Sequence, residues 1–208
     1  MHISDYFKEL PLIAILRGIH PHESVEIGRV LVQSGFRCIE VPMNSPNAID
    51  SISLLVQDLP SNCLIGAGTV MNEEQLDQLH QVGGRLVVMP HADIKLIKAA
   101  KQRGMICTPG VATLTEAFAA LEHGADALKL FPAESVPPSV LKAWRSVLPK
   151  SCLCLPVGGV RPEGMSTYVQ AGANGFGLGS NLYQADDAAA QVKERADAYI
   201  NAWKSLYT

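Results

Sequence analysis

The sequence predicts an α/β protein, a (β/α)8 TIM barrel built as one compact domain over residues 1–208. Three observations lead there. Eight short apolar runs recur along the chain, a segment of helical patterning follows each run, and glycine or proline closes most of the units.

The runs are Leu12–Leu16, Cys38–Pro42, Leu64–Ala67, Leu86–Met89, Ile106–Thr108, Ala127–Phe131, Leu153–Val157 and Gly175–Leu178, starting roughly 20 to 26 residues apart. Most are apolar at successive positions, as strands buried on both faces of a parallel sheet must be. Helices are expected at Glu23–Ser34, Ala48–Asp58, Glu73–Val82, Ile94–Arg103, Leu114–His123, Ser139–Leu148, Pro162–Ala171 and Ala185–Tyr207. Gly35, Gly83, Gly104, Gly124 and Gly172 stand where five of these helices need a left-handed cap. The competing architecture is an open doubly wound sheet. A barrel usually needs about 250 residues, so 208 residues imply minimal loops and no inserted domain.

The composition, 48% hydrophobic and 18% charged, is that of an ordinary globular chain. A net charge of −3 without runs of like charge argues against nucleic acid or an anionic membrane surface as a partner. Asp5, Lys8 and Glu9 interrupt the first ten residues, so no export signal is expected, and every apolar segment is too short to span a bilayer. Cys38, Cys63, Cys107, Cys152 and Cys154 are odd in number and lack metal-ligand spacing; they read as reduced core thiols of a cytoplasmic protein. His20, His22, His80, His91 and His123 are scattered over loops and helices, so neither metal nor cofactor is expected.

In a barrel, residues at the C-terminal ends of strands face the active-site mouth. Alternation along Ala127-Leu128-Lys129-Leu130-Phe131 turns Leu128 and Leu130 toward the helices and Lys129 toward the interior. Every other lysine lies outside the apolar strands. The same counting separates Glu40 from Ile39 and Val41, and puts Arg17 in register with Ile13 and Ile15. A structural ion-pair network is the bland interpretation, at a desolvation cost of several kcal/mol per ion. The chemical interpretation is a lysine whose ammonium form is disfavoured by burial and by Arg17, leaving an amine able to attack a ketone. Glu40 would then move protons, while Arg17 and the hydroxyl of Thr69 would hold a substrate carboxylate, although Thr69 taken alone is equally a turn or helix-cap residue.

Phosphate sites in barrels are commonly made by the loops after the last two strands. Val157-Gly158-Gly159-Val160 and Gly177-Leu178-Gly179-Ser180 occupy those positions. Each taken alone is equally a tight turn; their pairing favours a phosphate.

At these residues the chain resembles the keto-deoxy-phosphosugar aldolases, the class I family that cleaves 2-keto-3-deoxy-6-phosphosugar acids to pyruvate and glyceraldehyde 3-phosphate. The likeness runs through Ile15-Leu16-Arg17-Gly18, Ile39 to Pro46, Gly66-Ala67-Gly68-Thr69-Val70, Leu128 to Pro132 and Val157 to Val160. It implies Lys129 as the Schiff-base residue, Glu40 as acid and base, Arg17 and Thr69 as substrate contacts, and Gly158, Gly159, Gly179 and Ser180 as phosphate contacts. It also implies a homotrimer without metal. Asn44 and Val157 are similar to the members acting on the galactonate epimer, whereas Ala133-Glu134 is closer to the gluconate pattern. The rival readings are a phosphosugar isomerase or epimerase, with Lys129 as electrostatic support only, and a noncatalytic phosphosugar-binding barrel.

Overall fold

The structure, a computed structural model, describes residues 2–207. Strand and helix alternate: β1 (Leu12–Ile15), α1 (Pro21–Ser34), β2 (Cys38–Pro42), α2 (Ala48–Asp58), β3 (Leu64–Gly68), α3 (Glu73–Gln81), β4 (Leu86–Val88), α4 (Ile94–Gln102) and β5 (Ile106–Thr108). There follow β6 (Gly110–Val111), α5 (Leu114–Glu122), β7 (Leu128–Leu130), α6 (Pro138–Trp144), β8 (Cys154–Pro156), α7 (Met165–Gln170), β9 (Phe176–Leu178) and α8 (Ala189–Lys204).

Local chemistry sets the helix ends. Pro21 opens α1 with its φ already helical, and Glu23 Oε1 accepts from the His20 N–H at 2.9 Å. Gly35 ends that helix at φ 117°, and its N–H donates to the Leu31 and Val32 carbonyls. The Asp93 carboxylate caps α4, accepting from Lys95 N at 2.8 Å and Leu96 N at 3.1 Å; an alanine there would cost about 1 kcal/mol. Three helices are several residues shorter than their patterning predicts, and α6 ends at Trp144 rather than Leu148. The last begins at Ala189 rather than Ala185, because Asp186 takes a left-handed φ of 66° that a helix does not admit. Pro162–Gly164 forms a 3-10 turn before α7, so only the second part of that expected helix is α-helical.

The strands form a curled parallel sheet in the order β5-β4-β3-β2-β1-β9, with a second parallel sheet β6-β7-β8 beside it. A parallel bridge between Val157 and Gly177 joins the β8 side to β9. The fifth strand, Ile106–Thr108, has the bounds expected of it; after Pro109, which has no N–H for the ladder, the chain adds β6, a short strand that the apolar runs do not predict. The ladder is therefore not one continuous closed sheet, a departure from the eight-strand closure that the repeat predicts.

Strand alternation divides the core in two. Ile13, Cys38, Leu64, Leu86, Ile106, Ala127 and Leu155 pack together on the inner face, with Ile3 from the N-terminal 3-10 turn beneath them. Their neighbours Leu12, Ala14, Ile39, Val41, Leu128 and Leu130 join the larger cluster with the helix residues Ile27, Leu31, Ile52 and Leu55. Each fully buried leucine or isoleucine contributes about 2 kcal/mol. The apolar inner layer closes one end of the sheet, so polar side chains farther along the strands collect at the other.

Among the described residues no helix is long and apolar enough to cross a membrane. The five cysteines are free and buried. Cys152 and Cys154 hold their sulfurs 3.9 Å apart, well beyond a disulfide bond of about 2.05 Å.

Candidate active site

Three strands deliver the charged groups. Ile15 pairs with Glu40 across β1 and β2, so Arg17, two residues farther on, emerges above the Glu40 level. Lys129 sits in the middle of β7, its backbone N–H bonded to the Pro109 carbonyl at 2.9 Å. Arg17, Glu40, Lys129 and Phe131 line one cavity of about 390 Å³ together with Gly158, Gly159, Gly179 and Ser180 from the loops after β8 and β9. Thr69 is not part of this lining. Its Oγ1 instead accepts from Arg17 Nη2 at 3.3 Å, from a backbone at φ 54° that is unusual for a β-branched residue.

Glu40 and Lys129 are almost removed from solvent, at 1% and 5% exposure. Burial pushes the Glu40 carboxyl up to about 7, against the opposing pull of Lys129, Arg17 and the Gly68 backbone N–H. Burial also lowers the Lys129 ammonium, Glu40 works the other way, and Arg17 lowers it further. The carboxyl and the amine are thus drawn from opposite sides toward neutral pH, where one can exchange protons and the other can act as a nucleophile. Glu40 Oε2 has no hydrogen-bond partner among the described residues. A buried oxygen without a partner, on a residue that lines the cavity, is poised to accept a proton from a group bound beside it.

Three contributors lie outside the sequence-based set. Gly68 makes room for the acid: a Cβ on it would lie 1.9 Å from Glu40 Oε2. The alternation of Gly66 and Gly68 along one strand was the available signal, since interior strand glycines mark close approaches. Asn44 holds Arg17, its Oδ1 accepting from Nη1 at 2.6 Å. The sequence marks Asn44 only through the family likeness, because nothing local links positions 27 apart. Phe131 puts its ring under the amine, with Lys129 Nζ 4.4 Å from the ring centroid.

In the loop after β8, Gly158 and Gly159 adopt φ of 113° and 64°, a turn that L side chains rarely permit. Asn181 Nδ2 and the Tyr199 hydroxyl both donate to the Val160 carbonyl, at 3.3 and 2.8 Å, tying the loop after β8 to the loop after β9 and to α8. The expected phosphate residues Gly158, Gly159, Gly179 and Ser180 therefore line the same cavity as Lys129.

A family model described as KDPG and KHG aldolase matches residues 3–196. The chain belongs to this aldolase family. Within the family, it is 44% identical over 199 residues to the probable 2-dehydro-3-deoxy-6-phosphogalactonate aldolase of Rhizobium meliloti (strain 1021), covering 96% of this chain and 94% of that one. It is 43% identical over 196 residues to the 2-dehydro-3-deoxy-6-phosphogalactonate aldolase of Escherichia coli (strain K12), covering 94% and 96%. The solved structure described as native KDPGal superimposes with a TM-score of 0.93 at 42% identity, covering 95% of this chain and 96% of that one. The protein is an aldolase, a carbon–carbon lyase, and its α/β architecture is that of the family.

Proposed function

We propose that this aldolase cleaves 2-dehydro-3-deoxy-6-phosphogalactonate to pyruvate and glyceraldehyde 3-phosphate through a Schiff base on Lys129. The observation that carries the reading is the single cavity in which a buried lysine, its ammonium disfavoured, meets a buried carboxyl raised to about 7.

The Lys129 amine attacks the substrate C2 carbonyl to give a carbinolamine, and Glu40 supplies the proton with which water leaves as the iminium forms. Glu40, now a carboxylate, takes the C4 hydroxyl proton; the C3–C4 bond breaks, its electron pair neutralises the iminium as an enamine, and glyceraldehyde 3-phosphate departs. The proton held by Glu40 then goes to C3, and water hydrolyses the resulting pyruvate iminium to restore the amine. Arg17, held by Asn44 and Thr69, grips the substrate carboxylate, and Gly158, Gly159, Gly179 and Ser180 receive the phosphate.

Relatives at 43% and 44% identity named for the galactonate acid support that epimer, as do Asn44 and Val157. In this reading residues 1–208 form one catalytic domain, and its two sheets work as one (β/α)8 barrel, a reading supported by the bridge between Val157 and Gly177. Five free thiols support a cytoplasmic setting, and the family resemblance supports a homotrimer, which light scattering after size exclusion would weigh.

Pyruvate release is to be measured with the galactonate and gluconate epimers, alongside borohydride reduction in the presence of pyruvate. Wild type should favour the galactonate acid and gain a pyruvate-derived mass on Lys129; Lys129→Ala should lose both, with its fold checked by circular dichroism. Cleavage of neither epimer, or undiminished cleavage by Lys129→Ala, would overturn the mechanism.

A further inference from the structure

Arg161 marks a second chamber of the same site. Beyond the loops after β8 and β9 lies a cavity of about 380 Å³ that shares Ser180 and Asn181 with the amine cavity and adds Arg161, Glu163, Gln184 and Arg195. The two chambers meet at Ser180, assigned above to the phosphate.

The cations in this annex are not equivalent. Arg195 is committed, with Nη1 2.5 Å from Asp187 Oδ2. Arg161 is exposed, and among the described residues no hydrogen bond or ion pair holds its guanidinium. Its backbone, by contrast, is well fixed. The preceding Val160 carbonyl accepts from both Asn181 and Tyr199, so the base of the side chain is pinned at the rim. Gln184 is anchored too, donating to the Ser180 carbonyl at 3.1 Å, and it braces the turn that carries Ser180.

Arg17, which lines the amine cavity, bonds to the neutral Asn44 and Thr69 oxygens and has no carboxylate partner among the described residues. Each of the two neighbouring chambers thus carries one guanidinium that no carboxylate neutralises. That charge pattern fits an elongated ligand with an anion at both termini. A glycine turn offers only backbone N–H groups, whereas a phosphate dianion calls for a full positive charge as well.

We propose that Arg161 is a binding residue for the phosphate monoester, folding over Ser180 and Asn181 so that its guanidinium closes the annex side of the phosphate subsite. This assignment rests on the phosphosugar reading above and adds to it a cationic side chain beyond the glycine and serine contacts. Glu163 faces the same chamber and opposes the anion, which sets the sign of a second variant.

The test is calorimetric titration of the full chain with glycerol 3-phosphate, a phosphate monoester without a carbonyl, so that no Schiff base contributes. Inorganic phosphate serves as the comparison for a free anion. Arg161→Gln should weaken glycerol 3-phosphate binding about ten-fold or more, the range of a lost charge-assisted hydrogen bond. Arg161→Lys should recover part of it, and Glu163→Gln should tighten it two- to three-fold by removing a like charge. Because the exposed Arg161 guanidinium has no hydrogen bond or ion pair among the described residues, the variant should unfold at the wild-type temperature. Equal affinity in wild type and Arg161→Gln, tighter binding of inorganic phosphate than of the monoester, or no binding by wild type would each overturn the proposal. Wild type that neither cleaves nor traps substrate, yet loses glycerol 3-phosphate affinity on Arg161→Gln, would sink the aldolase mechanism and leave the phosphate subsite standing.

Discussion

Lys129 carries its Nζ 4.4 Å from the centroid of the Phe131 ring, two residues farther along the same chain segment. The ring face attracts a cation, so it favours the ammonium and equally the iminium that would replace it. Its effect on the amine therefore opposes that of burial.

Phe131→Leu should consequently reduce kcat about five-fold, corresponding to roughly 1 kcal/mol of cation–π stabilisation withdrawn from the iminium. It should also make the free amine available at lower pH. Steady-state kinetics with labelling of Lys129 across pH would check both; a variant with unchanged kcat would show that the ring only fills space.

The two charged neighbours of Lys129 should move its reactivity in opposite directions. Glu40 raises the lysine and Arg17 lowers it, so Glu40→Gln should shift the midpoint of amine reactivity to lower pH and Arg17→Met to higher pH. A small neutral acylating reagent, with the modified peptide followed by mass spectrometry, reads this without requiring substrate to bind. Shifts of the same sign in both variants would contradict the electrostatic account.

Glu40 also makes stability depend on pH. Its folded-state pKa of about 7 lies above the ordinary value of 4.5, so the folded protein holds this proton more tightly than the unfolded chain does. The contribution is fully present below about 4.5 and is lost as pH rises through about 7, a change of roughly 3 kcal/mol. Glu40→Gln should gain on wild type by about that amount between pH 4.5 and 8 in urea unfolding. A difference that stays flat across this window would mean that the carboxyl is not held neutral by burial.

Gly66 and Gly68 should fail in different ways. A Cβ on Gly66 would lie 1.9 Å from the Leu86 carbonyl oxygen of the neighbouring strand, a clash with backbone that cannot step aside. Gly66→Ala should therefore cost more than about 3 kcal/mol, visible as a fall in Tm. A Cβ on Gly68 would meet the end of the Glu40 side chain, which can rotate. Gly68→Ala should keep most of its stability and lose at least about ten-fold in kcat, because proton transfer depends on the position of that carboxyl. Equal thermal losses in the two variants would count against the distinction.

Much of the fold could be read locally. The apolar runs at Cys38–Pro42 and Leu64–Ala67 recur as β2 and β3 almost to the residue, because burial on both faces leaves an unbroken apolar signature. Gly35, Gly83, Gly104, Gly124 and Gly172 all take the positive φ expected of them. Alternation also separates Lys129 from Leu128 and Leu130, which join the cluster against the helices, whereas Ala127, two residues before the lysine, joins the inner one. The short strand Gly110–Val111 was less legible than Ile106–Thr108, since two residues behind a proline that has no N–H for the ladder carry no periodicity of their own. Asn44 was equally silent, because its bond to Arg17 joins two strand ends and depends on their register.

By itself, then, the sequence determined the alternation of strands and helices, the caps that end the helices, and which side chains turn inward, all properties of spacing over a few residues. The tertiary structure alone decided how those inward groups behave. Removal of Glu40 from water, the space left by Gly68, the aromatic ring beneath Lys129 and the tethering of Val160 arise from contacts between distant segments. Those contacts are what draw a carboxyl up and an amine down, since the free energy of a charge depends on everything that surrounds it and not on its neighbours in the chain.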